Sequence, residues 1–223
     1  TPNTSMYYDF SMVVARIFNL PSTLELIGQP LNDKYGFDEL ESWLNYAYHV
    51  LLKAKREGKI WNGAYIVSTN GKKLDKLTHC FNLFKGIDRP VHITEDCYSL
   101  KEAHKRLMTI DGLASFLAGQ VVADLKNTEG HPLQDADDWW DFSAPGPGSL
   151  RGLTWFFEEK VTAKNYNIKI NEASEILDFE LPTTILNKLC FQNLQNCFCE
   201  YDKFMRVTNK TGKSKRKYKK GSI

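Results

Sequence analysis

The sequence predicts an all-α protein, with one mainly helical domain over residues 1–207 and a basic tail over residues 208–223. Hydrophobic residues make up 42% of the 223 residues and aromatic residues 13%, which is enough to fill one sizeable core. Apolar residues recur three and four positions apart along most of the chain, as on one face of a helix. Residues 107–125 repeat this spacing on both sides of a single break, which is typical of a helix-hairpin-helix.

Four helical patterns precede the hairpin. The first ends before Gly28, which stops a helix, and Asp38 is placed to cap the second. Ser99 and Glu102 have the spacing of a capping box at the start of the fourth. The four patterns cover residues 6–27, 37–55, 74–84 and 99–108. Residues 61–69 fit a short strand and a helix start equally well.

The hairpin is the first candidate DNA-binding element. Helical spacing across residues 107–125 is interrupted once, next to Gly112, so we expect two helices with a turn at residues 111–114. In a helix-hairpin-helix, the amides of the turn bind a DNA phosphate at a helix N-terminus. This makes Gly112, Ala114 and Ser115 candidate DNA contacts. An ordinary αα-hairpin inside a core explains the same pattern.

A run rich in glycine and proline follows an acidic polar stretch. Residues 140–153 read W-D-F-S-A-P-G-P-G-S-L-R-G-L and predict a shaped loop leading into a helix over residues 153–161. Such a loop can direct backbone amides toward an anion beside a guanidinium. The candidate phosphate ligands here are Gly146, Gly148, Ser149 and Arg151. The alternative is a structural turn between two helices.

The last long pattern predicts one helix over residues 181–206, beginning after a proline. Asn196, Glu200 and Lys203 share one face of it, and Arg206 lies three residues beyond Lys203. An amide, a carboxylate and two bases together suit a phosphate-bearing ligand, so Asn196, Lys203 and Arg206 are further candidate phosphate ligands. A salt-bridged surface stripe is the alternative.

Two carboxylates are candidates for proton transfer. Asp141 stands among aromatic residues, where a carboxylate needs a partner, and Arg151 is the nearest base in the sequence. Glu200 is the carboxylate on the polar face of the last helix. We therefore take Asp141, Arg151 and Glu200 as the candidate catalytic residues, with a carboxylate as the base.

Charge is unevenly distributed along the chain. The tail from residue 208 holds seven basic residues and no acidic one, and subtracting these seven from the net charge of +2 leaves −5 for the rest. A basic C-terminal tail on an acidic domain is typical of a tail that binds along a polyanion. Its candidate DNA contacts are Lys213, Lys215, Arg216 and Lys217. A solubilising or localisation tail is the alternative.

Other patterns limit the function classes. The histidines lack metal-ligand spacing and no P-loop or dinucleotide fingerprint occurs, so we expect no metal and no cofactor. The five cysteines are an odd number without a C-x-x-C pair, which favours reduced thiols in the cytoplasm of a host cell or in a nucleus. No apolar run is long enough to span a membrane. Because the sequence begins with Thr1 and not Met, we expect a segment of a longer protein.

Several segments together resemble one family. They are the hairpin I-D-G-L-A-S-F-L-A-G-Q-V-V-A-D-L, the loop A-P-G-P-G-S-L-R-G-L and the helix L-Q-N-C-F-C-E-Y-D-K-F-M-R, followed by a basic tail. In order and spacing, over residues 16–218, they resemble the α-glutamyl/putrescinyl thymine pyrophosphorylases. That family is also described as the helical domain of 5-hydroxymethyl-deoxyuridine DNA kinases and as amino acid:DNA transferases. The segment W-N-G-A-Y-I at residues 61–66 fits the same family.

The resemblance implies hypermodification of thymine in DNA, on a fold like that of helix-hairpin-helix DNA glycosylases. The implied substrate is a pyrophosphorylated hydroxymethyluracil, flipped out of the duplex, whose pyrophosphate is replaced by an amine. The implied partners are DNA, a small amine or amino acid, and a fused or separate kinase. Two other classes stay open: a non-catalytic DNA-binding module of a larger modification enzyme, and a glycosylase-like enzyme that excises a base.

Overall fold

The computed structural model describes residues 7–28, 37–62, 69, 71, 73–90 and 93–212. This part of the chain is helical and contains no strand, which confirms the all-α class. A short 3-10 helix covers Pro132–Asp135. The α-helices are α1 Tyr8–Phe18, α2 Pro21–Ile27, α3 Phe37–Glu57, α4 Lys76–Lys85, α5 Leu100–Leu107, α6 Ser115–Leu125, α7 Pro147–Phe157, α8 Tyr166–Glu180, α9 Thr183–Leu186 and α10 Phe191–Thr208.

The chain divides into two compact units, Thr1–Trp139 and Trp140–Ile223. Helices α1 to α6 belong to the first unit and α7 to α10 to the second. The expected domain over residues 1–207 with a tail from 208 stays a prediction. Most of the tail, including Lys213, Lys215, Arg216 and Lys217, lies outside the described residues.

The first unit is organised around packed aromatic rings. Phe10 and Phe18 of α1 pack against Phe84 of α4 with ring centroids 5.9 and 6.0 Å apart.

The single helix expected over residues 6–27 is in fact two, α1 and α2. Asn19 takes a left-handed conformation between them, with φ of 42°, and its amide donates to the Ala15 carbonyl, which ends α1. Residues 63–68 of the segment 61–69, where a strand and a helix start were equally expected, lie outside the described residues.

The chain turns between two helices at the expected hairpin. The first helix, α5, ends at Leu107, earlier than expected, and the second, α6, begins at Ser115. Gly112 has φ of +105°, and a Cβ there would lie 2.7 Å from Leu83 Cδ1, so the turn requires glycine. His104 Nε2 donates to the Ser115 carbonyl over 2.9 Å and joins the two helices. Burial lowers the pKa of His104.

A buried carboxylate links three segments of the first unit. Asp9 accepts hydrogen bonds from His131 Nε2 at 3.1 Å and from the amide and hydroxyl of Thr94 at 2.8 and 2.6 Å. The other ring nitrogen of His131 accepts from the Leu133 amide at 3.2 Å, so in the neutral ring the proton belongs on Nε2. Burial alone would raise the pKa of Asp9, but the bonds from His131 and Thr94 outweigh it, and the pKa lies below its ordinary value.

This cluster gives the first testable prediction. Asp9→Asn should lower the free energy of unfolding at pH 7 by about 1–3 kcal/mol, because a buried charged hydrogen-bond acceptor is lost. A carboxylate with a lowered pKa stabilises the fold above its ordinary pKa, and that contribution disappears as the pH falls below about 4. Urea denaturation at a series of pH values should therefore show wild type and variant converging in acid. A gap that stays constant down to pH 2 would contradict this role.

The second unit has its own apolar core. Leu153, Tyr166, Ile170 and Phe198 are buried in it, on helices α7, α8 and α10. Two expectations were wrong here. The helix expected over residues 153–161 begins six residues earlier, at Pro147, and the single helix expected over residues 181–206 is interrupted between α9 and α10.

Candidate phosphate-binding site

The glycine- and proline-rich run is the start of helix α7. Gly146 is the N-cap and Pro147 the first helical residue, where its missing N–H and fixed φ suit a helix. The Gly146 amide donates to Ser149 Oγ at 3.1 Å, and that hydroxyl donates back to the Gly146 carbonyl at 3.0 Å. Ser149 is fully buried. These two candidate phosphate ligands therefore bond to each other and hold the end of the helix.

Glycines on α7 allow very close contact with α10. A Cβ on Gly152 would lie 2.0 Å from the Phe198 carbonyl oxygen, and one on Gly148 would lie 3.0 Å from Cys199 Sγ. Gly148 and Gly152 are four residues apart and share one helix face, so the two backbones meet along that face. Arg151 stands between these glycines in the sequence and is held against α10 by their contact.

Arg151 forms a bidentate ion pair with Asp202 of α10. Its Nε lies 3.2 and 3.1 Å from the two carboxylate oxygens, and a terminal nitrogen lies 2.8 Å from Oδ2. Arg206 reaches the same Oδ2 through its Nε at 3.1 Å, one helical turn further along α10. The Asp202 side chain is 1% exposed, whereas those of Arg151 and Arg206 are 50% and 35% exposed. We call Arg151, Asp202 and Arg206 the guanidinium cluster.

The guanidinium cluster has the charge and donors of an anion site. Two cations on one carboxylate leave a net charge of +1, and each arginine keeps N–H groups without an acceptor in the described part of the chain. The fork of a guanidinium matches the oxygens of a phosphate, and fixing the side chain beforehand lowers the entropy lost on binding. The cluster can therefore bind a phosphate or pyrophosphate at its exposed side.

The structure does not pair Arg151 with either expected carboxylate. Asp141 is exposed and has no ion-pair partner among the described residues. Glu200 forms an exposed i,i+3 ion pair with Lys203. Because Glu200 precedes Asp202 by only two residues, the two carboxylates lie on roughly opposite sides of α10. The site thus brings together Arg151 and Arg206, but not Arg151 with Asp141 or Glu200.

The four residues expected to form one polar face of the last helix do not act together in the structure. Asn196, Glu200 and Lys203 are exposed, as in the surface stripe that was the alternative explanation. Arg206 belongs to the guanidinium cluster, and Asp202 is the residue that the sequence analysis missed. Its signal was the i,i+4 spacing of Asp202 and Arg206, with the acid on the N-terminal side, which favours a helical ion pair.

A buried polar network supports the start of α7. The Tyr166 hydroxyl of α8 lies 2.8 Å from Ser143 Oγ and also bonds to Ser149. Burial raises the pKa of Tyr166 and of the Cys199 thiol. Cys199 therefore remains a protonated, weakly nucleophilic thiol, as expected of a packing cysteine. This network was not visible in the sequence, because its members are widely separated and of common types.

Within the described residues, no cluster of histidine, cysteine and acidic side chains has the geometry of a metal site. No helix there is long and apolar enough to cross a bilayer. Gly112, Ala114 and Ser115 lie at the α5–α6 turn. The described residues thus form a helical protein that presents two guanidinium groups held by one buried carboxylate.

Comparison with known families identifies a family for the chain. The model for the 5-hmdU DNA kinase helical domain matches residues 3–214. The chain belongs to this family of helical domains of 5-hydroxymethyl-deoxyuridine DNA kinases, which confirms the resemblance found in the sequence. The family associates the chain with the modification of hydroxymethyluracil in DNA. No curated protein and no solved structure matches the chain.

Proposed function

We propose that this chain replaces the pyrophosphate of a pyrophosphorylated 5-hydroxymethyluracil in DNA with an amine. The amine lone pair attacks the exocyclic methylene carbon and forms a C–N bond. The bond from that carbon to the pyrophosphate oxygen breaks, and pyrophosphate leaves with the electron pair. A base then accepts a proton from the ammonium product. Membership of the family supports the substrate class, and the guanidinium cluster is the observation that supports the leaving-group chemistry.

The proposed role of Arg151 and Arg206 is to bind the pyrophosphate and stabilise the charge that develops as it leaves. Asp202 fixes both guanidinium groups, so it is a positioning residue. The Gly148 amide, in the first turn of α7, adds a donor at the positive end of the helix. The Gly146 amide already donates to Ser149 and is a weaker candidate. Asn196 and Lys203 remain proposed contacts on the exposed face of α10.

The proposed base is Asp141 or Glu200. Asp141 has the better claim, because Glu200 is paired with Lys203, whereas Asp141 has no ion pair among the described residues. The carboxylate accepts a hydrogen bond from the attacking amine, stabilises the positive charge that develops on the nitrogen, and passes the released proton on to water. Asp141→Asn and Glu200→Gln, compared by turnover, distinguish the two.

DNA binding is proposed for the α5–α6 turn and for the tail. The turn places Ala114 and Ser115 at the N-terminus of α6, where amides and the helix dipole favour a phosphate. We also propose that the helices share the arrangement of helix-hairpin-helix glycosylases. A target base inside a duplex must leave the stack before its methylene carbon can be attacked.

The direct test is nucleoside mass spectrometry. Duplex DNA with pyrophosphorylated 5-hydroxymethyluracil is incubated with the protein and a panel of amines, then digested to nucleosides. The proposal expects a new nucleoside whose mass equals that of the substrate nucleoside with its pyrophosphate replaced by the amine. Release of free base would indicate a glycosylase instead. Intact substrate with every amine, with pyrophosphate retained, would overturn the proposal.

A second candidate is a non-catalytic DNA-binding module. The family description names a helical domain of a kinase, which favours a chain that serves a larger enzyme. Such a module would bind modified DNA and raise the activity of a kinase supplied in trans or by fusion, without converting the DNA itself. Kinase assays with and without the chain therefore separate this candidate from the transferase.

The tail gives a prediction about salt dependence. Deleting residues 208–223 should weaken DNA binding uniformly across sequences, because seven basic residues are removed with no acidic one. Each lost phosphate contact lowers the magnitude of the log–log salt slope by about 0.9 on duplex DNA. Fluorescence anisotropy over a range of salt concentrations should show a slope smaller by several units. An unchanged slope would exclude the tail from DNA binding.

A further inference from the structure

A cavity of about 510 Å³ opens beside α1 in the first unit. Arg16 of α1 and Asp124 of α6 form its charged edge, where both guanidinium nitrogens of a bidentate pair bond to the carboxylate. Their side chains are 20% and 27% exposed, so the pair can still be reached. Met12 and Leu24 contribute apolar walls. The volume lies within the range of small-molecule sites, and the mix of apolar walls with a few polar groups is typical of them.

The charge of this cavity selects its ligand. Among the described residues that line it, only Arg16 and Asp124 are charged, and they neutralise each other. Because this pair carries no net charge, it attracts a phosphate less than the guanidinium cluster does with its net charge of +1, and an ammonium would have to displace Arg16 from Asp124. A neutral polar ligand can bind without breaking this ion pair, so the lining favours a neutral polar ligand over a charged one.

Two carboxamides supply the specificity. Asn19 follows α1 in its left-handed conformation, and Asn127 follows α6. Asn127 donates one N–H to the Ala123 carbonyl at 2.7 Å, which leaves its Oδ1 and its second N–H for a ligand. A carboxamide carries a donor and an acceptor side by side. This arrangement complements the imide edge of a uracil ring, in which an N–H stands between two carbonyl groups.

From this lining we infer that the cavity binds a uracil-type pyrimidine base. Asn19 and Asn127 read its imide edge, while Met12 and Leu24 contact its faces. The inference rests on the proposed function, since it gives the flipped base of the DNA substrate a place in the first unit. It also assigns a binding role to the α1–α2 corner.

The test uses the free nucleoside 5-hydroxymethyl-2′-deoxyuridine as the probe. Its addition should shift the side-chain amide resonances of Asn19 and Asn127 in ¹⁵N-labelled protein. The 3-methyl derivative, whose ring N–H is blocked, should bind roughly tenfold more weakly, because one hydrogen bond is lost and an acceptor is left unpaired. Equal binding of the two nucleosides, or shifts confined to other residues, would overturn the inference.

Variants complete the test. Asn19→Gly removes one carboxamide without strain, because glycine adopts a φ of 42° freely, and Asn127→Ala removes the other. Each should weaken nucleoside binding by about tenfold. Asn193→Ala is the matched control, because Asn193 also donates its side-chain N–H to a backbone carbonyl, that of Lys188, but lies in the second unit. An equal effect of all three variants would overturn the inference.

Turnover separates this inference from the proposed function. Normal nucleoside binding with no amine transfer by wild type would leave the cavity assigned and refute the transferase. Amine transfer by wild type that persists undiminished in the Asn19→Gly, Asn127→Ala double variant would refute the cavity and leave the transferase intact.

Discussion

Arg151→Ala should lower the rate of amine transfer by at least about 10²–10³-fold, the loss typical when one preorganised donor to a developing anion is removed. Arg151 is half exposed, and its fork bonds to no described residue other than Asp202, so its loss leaves the helix contact at Gly148 and Gly152 in place. The fold should therefore survive. Single-turnover kinetics on pyrophosphorylated DNA, with circular dichroism as a check on folding, measure the effect.

Two further variants make this result specific. Arg151→Lys should recover little of the rate, because an ammonium cannot reproduce the bidentate fork. Arg56→Ala removes an exposed guanidinium from the end of α3 and should leave transfer unchanged. Full transfer activity in Arg151→Ala would show that the guanidinium cluster is a structural ion pair and not the pyrophosphate site.

Gly152→Ala should be the most destabilising single substitution among the glycines of α7. The added Cβ would lie 2.0 Å from the Phe198 carbonyl oxygen, which is backbone and cannot rotate away, so α7 and α10 must separate. We expect the free energy of unfolding to fall by about 3 kcal/mol or more. Urea denaturation followed by circular dichroism measures this change.

Gly148→Ala is the matched control. Its Cβ would lie 3.0 Å from Cys199 Sγ and 3.3 Å from Cys199 Cβ. The thiol can change its rotamer and a helix shift of a few tenths of an ångström relieves the second contact, so the cost should be about 1 kcal/mol. Both substitutions replace glycine by alanine in one helix, so differences in helix propensity cancel. Equal midpoints for the two variants would argue against backbone contact between α7 and α10.

Periodicity in the sequence was enough to predict the all-α class and helix α6, but it extended the first helix of the hairpin beyond Leu107, where the chain already turns. It misplaced the start of α7, because the glycines and prolines there were taken as features of a loop. Pro147 instead begins the helix, and Gly148 and Gly152 face α10. The spacing of four residues between Gly148 and Gly152 was a sequence signal for a close helix contact, but this spacing does not show which helix is the partner.

Tertiary contacts explain the break before α10. Residues 187–190 contain no glycine or proline, so nothing local predicts an interruption. The Phe191 amide, which a continuous helix would bond internally, donates to the Trp140 carbonyl at 2.8 Å. The Arg151–Asp202 pair was missed for a similar reason. Its members are 51 residues apart, and only the helix contact brings them together.

The glycine contact has a mechanical consequence for the arginine beside it. Because Gly152 follows Arg151 directly and has no room for even a methyl group, α7 cannot slip along α10 or rotate about its axis by one residue without a collision. Helix α7 therefore has a single register against α10, and this places the Arg151 guanidinium at one position. This position cannot be tuned by small helix shifts of the kind that adjust many regulated sites. The guanidinium cluster is complete while α7 and α10 are packed together, and it is lost as a whole when the two helices separate.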